Sequence, residues 1–272
     1  MAATFSRKLL LLPLLALAAC GGDADRPVEV AAIGDPGSPF AGGPRLPVAA
    51  QLVRSATAEG LVAFDERGRV IPALADRWIV TDDGLSYIFR LRDGRWADGT
   101  TITGDNARIA LVEAIARVRG TALGLDLAPI DEVRTMAGRV VEIRLKRQAP
   151  DFLQLLAQPE LGLLRRGRGA GPMKLTRQKQ SALMTPIPPE DRGLPQQPDW
   201  DQLTRNLRLV ALPAEQAIAR FNAGDSDIVL GGRFEDFPRL DAAGVSRGAI
   251  RLDPVAGLFG LAVVSQQGFL GL

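Results

Sequence analysis

The chain of 272 residues has no histidine and one cysteine, Cys20. With a single thiol no disulfide can close within the chain, and without imidazole there is no His-ligated metal site and no Ser-His-Asp or Cys-His catalytic system. A charge surplus is missing as well: 33 Lys and Arg stand against 31 Asp and Glu. Two of those bases, Arg7 and Lys8, lie ahead of the first apolar run, so the remainder is balanced and offers no footprint for nucleic acid. That apolar run, LLLLPLLALAA, is too short for the ~20 residues of a membrane-spanning helix, and Pro13 breaks it. What remains, 46% hydrophobic and 24% charged, is the composition of a globular protein with one large domain or two smaller ones.

The amino terminus reads as an address. Residues 1–19 place two bases before the apolar run, and Cys20 follows small residues and precedes Gly21 and Gly22, the layout of a secretory signal. The tetrapeptide LAAC (17–20) resembles the lipobox of bacterial lipoproteins, which implies that Cys20 becomes the lipidated first residue on the periplasmic side of a bacterial membrane. The alternative is an ordinary secreted protein with a cysteine near its cleavage site.

Beyond a polar linker (20–27), periodicity organises the chain. VEVAAI (28–33) is a short strand that feeds a Gly- and Pro-rich loop over 34–44. Residues 47–63 show helical spacing through Val48, Leu52 and Val53, closing near Glu59 and Gly60, and 64–69 form a charged turn. In LSYIFRLR (85–92), Leu85, Tyr87, Phe89 and Leu91 share one face at period two, and Trp78 and Val80 offer a pairing face across Asp82-Asp83-Gly84, a hairpin. Thr103 starts a helix whose stripe over 107–118 is Ile109, Val112, Ile115 and Ala116, ending at Gly120. Residues 121–133 read as irregular, 139–146 as a strand and 150–157 as a short helix. A strand (207–212), a helix (213–223) and a strand (227–230) imply a parallel pair. The fold class expected is α/β, mixed with α+β.

EGL (59–61), PALADRW (72–78), DDGLSYIFRLRDGRWADGT (82–100), TGDN (103–106) and GAGPMKL (169–175) together resemble the solute-binding proteins of ABC transporters that include the dipeptide, oligopeptide and nickel binders. AIARFNAGDSDIVL (217–230) continues the likeness. Two departures stand out: the family's histidine or phenylalanine between Arg95 and Asp98 is absent, and Gly104-Asp105 replaces Ala-Glu, which removes the usual glutamate partner of Thr103. The resemblance implies a periplasmic binding protein-like type II fold. Its first lobe would comprise 28–58 and 166–272, its peripheral α+β domain 59–165, and the second lobe would be missing beyond QQGFLGL (266–272). A fragment, a truncated gene product and a genuine one-lobe protein all remain open.

The function implied is that of an extracytoplasmic solute-binding lipoprotein, not an enzyme and without a cofactor. It would work with an ABC transporter permease on a small solute such as a peptide, held to the membrane by a lipid anchor. The alternative is a single-lobe, membrane-anchored interaction or sensor module. Ligands collect beyond the carboxyl ends of strands in α/β sheets, which points to Gly34, Asp35 and Pro36 after the first strand and to Gly231, Gly232 and Arg233 after the last. Each group also reads as a plain turn. Finally, 161–189 holds six bases, Arg165, Arg166, Arg168, Lys174, Arg177 and Lys179, with no acid, either a solvated loop or a surface facing anions or acidic lipid.

Overall fold

A computed structural model describes residues 26–252, so Cys20, the leader and the stretch 266–272 lie outside the described residues. VEVAAI forms β1 (Val28–Ile33), with Val30, Ala31 and Ala32 buried, the continuous apolar run of a central parallel strand. A loop with a 3-10 turn at Ser38–Phe40 leads to α1 (Val48–Thr57). The helix stops at Thr57, short of the expected end, and Gly60 has a different role. A Cβ there would stand 2.9 Å from the Val62 carbonyl oxygen and 3.2 Å from that of Leu156, so glycine permits close backbone passage. β2 (Val62–Phe64) and β3 (Val70–Pro72) pair around the charged turn, where Asp65 accepts from the Arg67 and Arg69 amides.

The expected hairpin is β4 (Ala75–Val80) with β5 (Ser86–Leu91), Trp78 opposite Phe89 and Val80 opposite Tyr87. α2 (Gly104–Arg117) opens at Thr103, and Asn106 takes the place of the lost glutamate. Its Oδ1 accepts the Thr103 amide at 2.9 Å while its own amide donates to Thr103 Oγ1 at 3.3 Å. The stripe expected on this helix is corrected. The buried face is Ala107, Ala110, Leu111 and Ala114, whereas Ile109 and Val112 are 50% and 42% exposed. The first turn of the helix lies against the sheet, where a Cβ on Gly104 would meet Thr135 Cγ2 at 2.6 Å, while Leu111 fills the core further along and Ile115 packs at its margin.

Residues 121–133, expected to be irregular, contain α3 (Ala122–Asp126) and most of β6 (Ile130–Thr135). IDEVRT carries its charges as an edge strand does, and pairing with β7 (Val140–Leu145) makes it a strand. The antiparallel sheet runs β4-β5-β7-β6. With α2 and α4 (Phe152–Leu156) it encloses a core that includes Phe89, Leu91, Trp96, Ile102, Leu111, Ile143 and Phe152.

The basic run is only partly loop. Lys174 and Arg177 lie on β8 (Met173–Gln178), which pairs with β9 (Ser181–Pro186), and Arg177 sits 4.3 Å over the Phe40 ring. After α5 (Trp200–Leu203) come β10 (Leu207–Leu212), α6 (Ala214–Asn222), β11 (Ile228–Leu230) and α7 (Phe237–Ala242). The second sheet has the order β11-β1-β10-β9-β8. β10 and β11 run in the same direction, as expected, but do not pair with each other. β1 lies between them, parallel to both, so a strand from the start of the chain completes the unit. α1 covers this sheet over a second core of Val30, Ala32, Val53, Ala182, Met184, Leu209 and Ala211.

A buried ionic group ties the segments between the cores. Glu59, ahead of β2, takes the guanidinium of Arg92, just after β5, on one oxygen and that of Arg192, in a 3-10 turn after β9, on the other. Arg92 also donates to the Ala73 carbonyl at 3.2 Å and to that of Arg192. Glycine is needed at 193, where φ is 76° and a Cβ would fall 2.0 Å from the Asp93 carbonyl oxygen.

Candidate ligand-binding edge

The two loops expected to carry the site leave the sheet side by side. In the β1–β11 ladder Ala32 stands opposite Leu230, so Gly34 and Gly231 emerge at neighbouring carboxyl ends of parallel strands. That is where an α/β sheet leaves a crevice. The Gly34 amide donates to the Leu212 carbonyl at 2.9 Å, which extends the β1–β10 pairing by one residue and fixes the start of its loop. Asp35 then accepts, through its backbone carbonyl, the Ser38 amide at 3.0 Å. Gly37 at φ 88° turns the chain into the 3-10 segment.

Gly231 is favoured by its backbone angle and sits in a tight place. Its φ is 81°, and a Cβ would approach Val48 Cγ1 to 3.2 Å. This contact places the amino-terminal turn of α1 against the edge. Pro47 brings no side-chain cap to that turn, so the positive end of the helix dipole remains open there. Arg233 is 77% exposed, with Glu235 at 3.8 Å, and its amide donates to Asp236 Oδ2 at 2.9 Å. The backbone of Arg233 is thus fixed while its guanidinium stays in water.

Two contributors escaped the sequence reading. Ser38 Oγ is buried without a hydrogen-bond partner and lies 3.5 Å from where a Gly34 Cβ would be. A lone serine in a Gly-Pro loop gives no signal of that kind. Phe234 is 86% exposed and stacks on Phe237 with ring centroids 5.8 Å apart, an aromatic surface next to Arg233. Two aromatic residues in a charged turn are the one sequence trace of it. The edge therefore offers a helix terminus without a side-chain cap, a guanidinium and an aromatic face, with the Ser38 hydroxyl buried and unpaired beneath the first loop. The chemistry of that set suits a polar solute with an anionic group. Among the described residues no acidic or thiol cluster is arranged to hold a metal. Asp83 of the hairpin turn accepts the Thr81 hydroxyl and the Leu85 amide.

Residues 69–186 match the family described as bacterial extracellular solute-binding proteins, family 5 Middle. The chain is 33% identical over 125 residues to the "Probable deoxycholate-binding periplasmic protein YgiS" of Escherichia coli (strain K12), a match covering 38% of this chain and 23% of that protein. Its fold is similar to that of the periplasmic binding protein AgaA of A. tumefaciens R10, solved with agropinic acid, with a TM-score of 0.65 and 20% identity. That likeness covers 80% of this chain and 46% of the other. It is also similar to the DppA protein of Helicobacter pylori, solved in complex with the peptide STSA, with a TM-score of 0.61 and 14% identity over 80% and 49% of the two chains. The chain thus spans about half the length of these solved structures. Its mixed α/β fold is that of type II periplasmic binding proteins. Residues 69–186 therefore carry the sequence likeness to the family 5 bacterial extracellular solute-binding proteins, and the fold around them is similar to that of solved periplasmic binding proteins.

Proposed function

We propose that the chain serves an ABC importer as its extracytoplasmic solute-binding component, exported by residues 1–19 and anchored through a lipidated Cys20. Solute is held at the edge formed by Gly34, Asp35 and Pro36 and by Gly231, Gly232 and Arg233. The observation that carries this reading is the convergence of both loops on neighbouring parallel strand ends in a chain whose residues 69–186 match this family. The ligand class is small and peptide-like: a terminal carboxylate suits Arg233 and the open turn of α1, and an apolar side chain suits Phe234. In the mechanism, a second lobe closes over the solute, and burial of the ligand drives the closure that a permease senses. An open edge by itself covers too little of a ligand to bind tightly, so the residues described here bind weakly on their own.

The test is amide-resolved NMR of the chain titrated with pools of di- and tripeptides. Saturable shifts confined to residues 34–38, 48–50 and 231–234 are expected. Shifts elsewhere, or none with any pool, refute peptide capture at this edge. Mass spectrometry of protein from its native host tests the anchor separately, since a bare Cys20 sulfur removes it.

A further inference from the structure

The basic run has a shape that the proposed solute site does not use. The backbones of Arg165 and Arg168 bond to each other across a tight turn, at 2.8 and 3.1 Å, with Arg166 and Gly167 both at positive φ, 51° and 77°. Three guanidinium groups thus crowd one protrusion. Arg165 reaches Asp98 at 3.1 Å, whereas Arg166, 76% exposed, comes only to 3.8 Å of the same carboxylate. Arg168 is exposed and has no ion pair among the described residues. Arg95, also exposed, donates to the Gly99 carbonyl in the same corner.

Against this turn lies the α2 face that carries Ile109 and Val112 outward. A shallow groove lined by Ile109, Glu113, Leu164, Arg165 and Arg166 joins the two. The acids of this surface are Asp98, Asp105 and Glu113. Glu113 is offset by the charge of Arg117 one helical turn away, so the arginines are in excess. An apolar ridge beside a positive protrusion is the pattern of a surface that settles on an anionic bilayer.

The placement of the turn agrees. Val48 stands at the carboxyl end of β1, and ten helical residues at ~1.5 Å each carry Thr57 to the opposite end, where the described chain begins. The segment after the arginine turn is fastened there: the Gly171 amide donates to the Thr57 carbonyl at 3.0 Å, and a Cβ on Gly169 would fall 2.4 Å from Ala58. From Cys20 to the first described residue, Arg26, the tether reaches no more than ~20 Å.

We propose that the Arg165–Arg168 turn and the Ile109–Val112 ridge of α2 form a second, membrane-facing site that docks on anionic phospholipid headgroups and holds the solute edge pointing away from the bilayer. The proposal rests on the export and anchoring reading for the proximity of the membrane, but the surface itself needs no acyl chain. In the experiment, full-length protein is mixed with neutral phosphatidylcholine vesicles and with vesicles containing about 30% phosphatidylglycerol, and flotation and amide hydrogen exchange are followed. Anchoring through Cys20 shows as flotation with both vesicle types. Docking shows as roughly tenfold slower exchange over residues 105–113 and 164–168 on the anionic vesicles alone, lost in ~0.5 M NaCl. Arg166→Gln combined with Arg168→Gln, at two exposed positions outside both cores, is expected to abolish that protection and leave flotation on neutral vesicles unchanged. Equal exchange on the two vesicle types overturns the proposal, whatever becomes of the anchor. Protection that appears only when a membrane protein is added overturns it too, by assigning the surface to a protein partner.

Discussion

Replacing Glu59 by glutamine removes the only carboxylate of a buried ionic group with almost no change in volume. Side-chain exposure is 10% at Glu59, 5% at Arg92 and 14% at Arg192, so neither guanidinium can turn to water once its partner is neutral. Arg192 has little in reserve, because its Nε is already buried without an acceptor. Removing one member of a buried pair costs about 3–5 kcal/mol, against the ~1 kcal/mol or less of an exposed pair. For a protein of this size that corresponds to a fall in Tm of roughly 6–20 °C. Thermal unfolding followed by circular dichroism at neutral pH measures it, with urea unfolding as the second reading. Because the group is shielded, the loss is expected to persist in ~0.5 M salt, where an exposed pair is screened out. A change of under about 1 kcal/mol, or one that vanishes in salt, refutes the claim that Glu59 fastens the segments after β5 and β9 to the start of β2.

Gly231→Val sets a branched Cβ at φ 81° against Val48. It is expected to cost about 1–3 kcal/mol and to erase the peptide-induced NMR shifts, whereas retained shifts would move the solute elsewhere. Thr103→Ala removes the hydroxyl that caps α2 and lowers stability by about 1 kcal/mol, read as a shifted urea midpoint at constant slope. Acid should destabilise the fold in one direction only. Asp98 is held at about 2, chiefly by the Thr100 hydroxyl and amide and then by Arg165. Asp83 lies below the ordinary carboxylate range because of the Thr81 hydroxyl first, and Asp65 because of the Arg69 amide first. Carboxylates depressed in the folded state stabilise it above their unfolded values and lose that contribution as pH falls through the folded ones. Tm should stay level from pH ~7 to ~5 and decline toward pH ~2; a Tm that rises on acidification contradicts this.

The proposed solute edge at the two glycine loops and the proposed docking turn of arginines lie at opposite ends of α1. Its amino-terminal end meets the loops leaving β1 and β11, and its carboxyl-terminal end meets the segment that enters β8. A polarity of this kind needs the helix to lie antiparallel to the strand before it, which the loop between β1 and α1 allows.

Local chemistry alone determined the β4–β5 hairpin, the caps and breaks at Thr103 and Pro213, and the strand character of β1, β7 and β10. Each depends on side chains a few positions apart, through period-two alternation, a capping hydroxyl or a ring that forbids helix continuation. Tertiary structure decided the rest. β1 lies between β10 and β11 because a strand's neighbours come from distant sequence. IDEVRT became β6 because β7 satisfied its backbone, although its charges read as a loop. The buried face of α2 fell to Ala107, Ala110, Leu111 and Ala114 while Ile109 and Val112 face outward, because which side of the helix meets the sheet is set by how the elements pack, a matter no local hydropathy pattern contains.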